Sequence, residues 1–313
     1  MVSTGQDGNC PDLTILLTNF SRRIKMTVTK KTKNKLSEKA ILINLTIHNY
    51  GGAKKDKKVT TTTCLVMQAK ADAGSWWTRT IPKSEIDPIT AASMKCRNIL
   101  TKYTLPFLEN GFRILPSARF TEFSKEMREG IENYHAVVSV FIKRYPEIVG
   151  NRQRLGKLAE NITFPSVAEM KSKFSIRVET MNVPTTDDFR INLGDAEANE
   201  IKANVEDSIN TALKNSMTEI WNQLAELIAH VEKTLKDPKK KFKDSLIDNL
   251  TNFCKLIPKI NLSDDENLEE LRKDIIEKLT KLNCDGLRTD KVQRKTASKK
   301  ATDLLKKMQD YTA

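Results

Sequence analysis

The chain is short of almost everything that marks a common enzyme. Aromatic residues make up 6% of its 313 positions, and glycine and proline together number 21. That scarcity excludes collagen-like and loop-dominated chains, while an apolar content of 39% is too high for full disorder. No stretch approaches 18 consecutive apolar residues, so no membrane span is expected. The first residues include Asp7 and Asp12 and lack a basic-then-apolar order, so no signal peptide is expected either. The five cysteines, Cys10, Cys64, Cys96, Cys254 and Cys284, are too scattered for a C-x-x-C pair. Neither a zinc site nor a disulfide framework is expected, and buried free thiols are the simpler reading. There is no G-x-x-x-x-G-K-[ST] loop, no G-x-G-x-x-G after a strand, no H-E-x-x-H and no G-x-S-x-G elbow. His48, His135 and His230 stand far apart. No catalytic residue, cofactor or metal is therefore expected, and the chain reads as a non-enzyme.

What the chain has is charge, unevenly placed. The net charge is +13. Residues 1–70 hold 13 Lys/Arg against 4 Asp/Glu, and residues 285–313 hold 8 against 4. The body between them is neutral. Basic segments attract polyanions in a salt-dependent way, although Lys-rich ends are also common as solvated arms. An acidic protein partner is a third option. The residues that would meet a nucleic acid are Arg22 and Arg23 in the first arm, Lys54, Lys55, Lys57 and Lys58 after the first strand, and Arg288, Arg294, Lys299 and Lys300 in the tail.

The periodicity predicts a mainly α protein, an elongated bundle of long coiled-coil-like helices with a small β element. Alternation at Ile41, Ile43, Leu45 and Ile47 gives a strand at 40–49, closed by Gly51-Gly52. A second short strand is expected at 175–183, where Ile176 and Val178 alternate, and it could pair with the first. Residues 59–70 read as strand, from the run Thr60–Thr63, or as a helix entering at Asp56. Trp76 and Trp77 beside Arg79 could stack on bases, but at least one is expected as a packing anchor.

Beyond Pro82 helices dominate. Phe120, Phe123, Met127, Ile131, Tyr134, Val138, Phe141 and Tyr145 form a seam that ends at Pro146. Ser166 and Glu169 have the spacing of a capping box. The longest stripe opens at Gly194-Asp195 and runs through Ile201, Val205, Ile209, Leu213, Met217, Ile220, Leu224, Leu227 and Val231 to Leu235, about 60 Å of helix. Later helices are expected to stop before Pro258, to open on a capping box at Ser263–Glu266, and to end at Asp285-Gly286. The tail carries a last amphipathic segment, Ala297, Ala301, Leu304, Leu305 and Met308. Three regions follow: a basic arm at 1–39, a helical body at 40–284 and a basic tail at 285–313. No internal repeat is visible.

Several ordered segments also resemble a known family. They are Tyr103–Phe107 with Arg113–Pro116, Phe120–Glu129, Phe174–Ile176, Val183-Pro184, Asp188–Arg190, Gly194-Asp195, Trp221–Leu224 and the basic turn Asn49–Lys58. In that order they resemble a widespread phage and bacterial family built on a domain of unknown function, over residues 40–285. The resemblance implies a tailed-phage protein acting in the cytoplasm of the infected host or in the virion. Some members lie near MoxR-type ATPase and von Willebrand A-type genes, which implies an AAA+ ATPase-type partner and an adaptor role. The resemblance carries no catalytic residue. Two functions are thus expected: a homo-oligomeric helical assembly protein, from the long stripes, or a nucleic-acid-binding protein, from the basic ends.

Overall fold

A computed structural model describes residues 36–107, 111–151, 153–184 and 195–312. Arg22, Arg23 and Cys10 lie outside the described residues. The elements run β1 (Ala40–His48), β2 (Ala53–Lys55), α1 (Lys57–Val66), β3 (Trp77–Arg79), α2 (Lys83–Tyr103), β4 (Leu105–Pro106), β5 (Arg113–Pro116) and α3 (Phe120–Gly150). They continue with α4 (Val167–Ser172), β6 (Ser175–Asn182), α5 (Asp195–Lys236), α6 (Ser245–Ile260), α7 (Glu266–Ile275), α8 (Cys284–Thr289) and α9 (Lys291–Thr312). The protein is mainly helical, 70% helix and 11% strand. The strand predicted at 40–49 is β1, and its predicted partner at 175–183 is β6, its neighbour in a four-stranded sheet of order β4-β5-β1-β6.

The body expected as one domain divides into two compact units. The first takes the chain up to Leu42, Leu105–Ala118 and Met181–Ala313; the second takes Ile43–Thr104 and Arg119–Thr180. Each has its own apolar core. Contiguity in sequence hid this division, because β1 and β6 each pass from one unit to the other.

In the first unit α5 is the organising element. Leu213, Met217, Ile220, Leu224, Ile228, Val231 and Leu235 are buried along it, in one cluster with Leu250, Cys254 and Ile257 of α6 and Leu268, Leu271 and Ile275 of α7. The tail belongs to this core and is not a separate arm. Ala297, Ala301, Leu304 and Met308 of α9 are all buried in it, and α9 packs along α5. Short Ala side chains where the helices meet let two backbones approach closely.

This packing consumes part of the tail's charge. Arg294 is 6% exposed, and its guanidinium donates to the carbonyls of Leu235, Thr234, Asp237 and Lys240 where α5 ends. A helix C-terminus has carbonyls with no intrahelical partner, and a cation there also suits the macrodipole. Lys307 bridges Glu270 and Asp274, each at 2.8 Å. Arg288 pairs with Asp244 and Asp285. Lys299 is exposed and Lys300 half-buried.

In the second unit α2 packs on α3. Gly130 allows the approach: a Cβ there would lie 3.1 Å from Ile99 Cδ1 and 3.2 Å from Cys96 Sγ. The seam predicted on α3 faces this core through Phe123, Met127, Tyr134, Val138, Phe141 and Tyr145, whereas Phe120 is exposed. Tyr134 donates to Asn49 Oδ1 at 2.8 Å. Burial pushes its phenol up to about 12, so it keeps the proton it donates.

Several expected boundaries move. Proline interrupts only one hydrogen bond near a helix end, and α3 and α6 run on past Pro146 and Pro258 to Gly150 and Ile260. The predicted cap at Ser166 forms with both of its reciprocal bonds. At α7 the cap is Asp265, not Ser263, because the Asp265 carboxylate reaches the amides of Asn267 and Leu268. Asp285-Gly286 does not end a helix but lies inside α8, which Asn283 caps.

The Arg294 clamp has a measurable consequence. Arg294→Ala strands several buried carbonyls and should cost about 3 kcal/mol of stability in urea unfolding. Arg288→Ala, on an exposed pair, should leave the unfolding midpoint unchanged.

Candidate functional site

Residues 51–80 of the second unit leave its core and return to it. Gly52 makes the departure possible. Its φ is +70°, and a Cβ there would sit 3.1 Å from Ile86 Cγ1. Its carbonyl accepts from Ile81 N at 3.1 Å and from Thr80 Oγ1 at 3.2 Å, so both ends of the excursion are tied together. Tyr50 and Thr80 share a hydrogen bond of 2.8 Å between their hydroxyls. Arg154 adds a brace, donating to the carbonyls of Arg79 and Thr80 at 3.0 and 2.8 Å.

Beyond this neck β2 and β3 pair antiparallel, with Ala53 opposite Arg79, Lys54 opposite Thr78 and Lys55 opposite Trp77. Opposed residues project to the same side of a two-stranded ribbon, and alternate residues share a side. One side therefore carries Lys55, Trp77 and Arg79. Trp77 is 61% exposed and Trp76 45%, so neither is the buried anchor expected of the pair. The reason is local: α1, which is tied to the ribbon through Asp56 and Thr60, buries no side chain against it.

α1 is the helical alternative for residues 59–70. The β-branched threonines favour a strand, but Asp56 decides the matter. Its Oδ1 accepts from Val59 N at 3.0 Å, capping the helix, and its amide donates to Trp76 O at 2.9 Å. Thr60 then accepts from Trp76 N at 2.9 Å. The far end presents Leu65, Val66 and Met67, each more than 70% exposed.

The four lysines predicted as one basic turn border a common cleft. Lys54, Lys55, Lys57 and Lys58 line a cleft of about 190 Å³, together with Asp56, Thr78 and Ile162. Lys54, Lys55 and Lys57 make no ion pair among the described residues. Asp56 is the single carboxylate in the lining, and its Oδ1 is committed to the helix cap. The positive end of α1 opens on the same side. Residues 51–80 hold six Lys/Arg against two Asp.

Of the other predicted binding residues, Arg22 and Arg23 lie outside the described residues, and Arg288, Arg294, Lys299 and Lys300 do not line this cleft. Arg288 and Arg294 belong to the first unit and already have partners, and Lys299 and Lys300 lie on α9. The sequence pointed to the lysines and to Trp76 and Trp77 beside Arg79, but nothing in it marked Arg154 as the neck brace. Among the described residues no group of three or more His, Cys, Asp or Glu could hold a metal, and no helix is long and apolar enough to cross a membrane. Neither a family model, a curated protein nor a solved structure matches the chain.

Because α1 has no buried side chain, its cap carries it. Asp56→Ala should cost α1 about 1 kcal/mol and let it fray. Hydrogen exchange should show amides 60–66 losing protection, with the unfolding temperature of the two cores unchanged.

Proposed function

We propose that the protein is a non-catalytic nucleic-acid-binding protein that takes a single strand on the 51–80 finger. The observation that carries this reading is that Lys54, Lys55, Lys57 and Lys58 border one cleft, next to a ribbon that presents Trp77 on one side with Lys55 and Arg79. Proteins that hold single strands without sequence preference combine a cationic track with aromatic rings on which bases stack. Every base has a π-face and every link a phosphate, so no base-edge code is needed. The finger supplies both groups within one exposed element.

This reading takes precedence over the assembly role suggested by the long stripes. Those stripes face the chain's own helices for much of their length: Tyr134, Val138, Phe141 and Tyr145 of the α3 seam are buried in the second unit's core, and the α5 positions from Ile209 to Leu235 in the first. Among the described residues, the stretch of the α5 stripe from Ile209 to Leu235 is therefore used within the fold and does not itself call for a second copy. The basic ends expected to share the binding also contribute less than their charge suggests, since Arg294, Arg288 and Lys307 are engaged within the fold.

Binding of mixed-sequence single-stranded DNA, titrated against salt, tests the proposal. Affinity should fall steeply as salt rises. In the variant with Lys54, Lys55, Lys57 and Lys58 all changed to Gln, the log–log slope should shrink by about 0.7 for each phosphate that is no longer neutralised. Trp77→Ala should weaken binding by about 1–3 kcal/mol with the salt slope kept. An unchanged slope in the lysine variant would remove the finger from the interface.

A further inference from the structure

Independently of the strand-binding reading, we propose that the far end of the finger inserts into the surface of an anionic phospholipid bilayer. The tip is the first observation. Leu65, Val66 and Met67 fall at the midpoint of residues 51–80 and are 73%, 73% and 72% exposed. With Trp76 and Trp77 they make five of the eleven large apolar side chains that stand exposed among the described residues, all within one short stretch of chain. The last turn of α1 holds no basic residue, where a solvated helix end favours one. Between Val66 and Trp76 the charged residues are Lys70 and Asp72, one of each sign.

The backbone of the tip is the second observation. A helix end enters an apolar layer at low cost only when its free carbonyls are satisfied within the chain. Here the chain turns back on them. Gln68 adopts a φ of +50°, and the amides of Met67, Gln68 and Ala69 donate to the carbonyls of Thr63, Leu65 and Cys64 at 3.0, 3.1 and 2.8 Å. The last two bonds are those of a Schellman closure. Nearer the base, the hydroxyls of Thr60 and Thr61 donate to the carbonyls of Asp56 and Lys57.

The placement of charge says what the tip enters. Lys54, Lys55 and Lys57 are exposed, and Lys54 and Lys55 project to opposite sides of the ribbon. Cations spread around a stem do not gather on one small ligand, but they suit a plane of anionic headgroups that the stem passes through. Asp56 and Asp72 offset only two of the six Lys/Arg in residues 51–80. Leu65 lies eight residues along α1 from Lys57, about 12 Å of helix. With the lysines among the headgroups, the tip is then at the acyl boundary, the depth that interfacial apolar side chains reach. Trp76 N donates to Thr60 Oγ1, which sets that residue between the lysines and the tip, the level Trp favours at a membrane surface.

Flotation of the full-length protein with vesicles tests the proposal. The vesicles are phosphatidylcholine, with or without phosphatidylglycerol. The protein should float with the anionic vesicles and not with the neutral ones. Leu65→Ser/Val66→Ser/Met67→Ser should cut partitioning about tenfold or more. Lys54→Gln/Lys55→Gln/Lys57→Gln should cut it about fivefold for each charge removed. The tip variant should keep its affinity for single-stranded DNA, which separates the two readings: absence of flotation overturns the membrane site alone, and absence of DNA binding overturns the strand site alone. Equal flotation of the parent protein and the tip variant would also overturn the membrane site. A dimer in light scattering that the tip variant abolishes, without flotation, would assign the tip to a second copy and overturn it too.

Discussion

Covering the apolar stripe of α5 is the constraint on which the first unit depends. A helix of 42 residues with buried positions from Ile209 to Leu235 must be met along that length by other apolar surface. Each large side chain so buried is worth about 1.5–3 kcal/mol against exposure. The chain meets the demand by bringing α6, α7 and α9 back onto it. That return explains why the C-terminal segment is core despite its lysines. It also explains why Arg294 is drawn in: once α9 is docked, its guanidinium lies at the buried, otherwise unpaired carbonyls of α5's last turn. The second unit solves the same problem on a smaller scale, with Gly130 allowing α2 and α3 to close on one another.

The finger is what this economy leaves out. It contributes nothing to either apolar cluster beyond Ile81 at its root. Its own order comes from a three-residue ladder, one helix cap and the ties at Gly52. Elements of low local stability are where proteins commonly place binding surfaces, because their side chains are not required for the core. The two Trp rings and Lys54, Lys55 and Lys57 are therefore exposed in a way that the aromatic stripe of α3 is not.

Much of the fold was legible in the sequence where one physical signal dominated. Alternation located β1, the stripe from Ile201 to Leu235 located α5, and the Ser166–Glu169 spacing located a cap that forms as expected. Legibility failed where two signals competed or where the deciding partner was distant in sequence. At residues 59–66 the threonines pointed to a strand and Asp56 to a helix, and only the bond from Asp56 N to Trp76 O shows which prevails. At Ser263 and Asp265 two cap residues compete for one helix start. Charge alone could not separate Lys54, which lines an open cleft, from Arg294, which caps α5 from a distant part of the chain. The site was half legible: its lysines are adjacent in sequence, but their closure around Thr78 and Ile162 is a product of tertiary structure.

The central claim is that binding resides in the finger and folding does not. Excising residues 53–79 tests it most directly. Gly52 and Thr80 are already joined by a hydrogen bond, so a short glycine linker can bridge them. The shortened protein should unfold at the temperature of the full chain and should lose its salt-sensitive affinity for single-stranded DNA. Full affinity in the shortened protein would contradict the account, and so would collapse of the two cores.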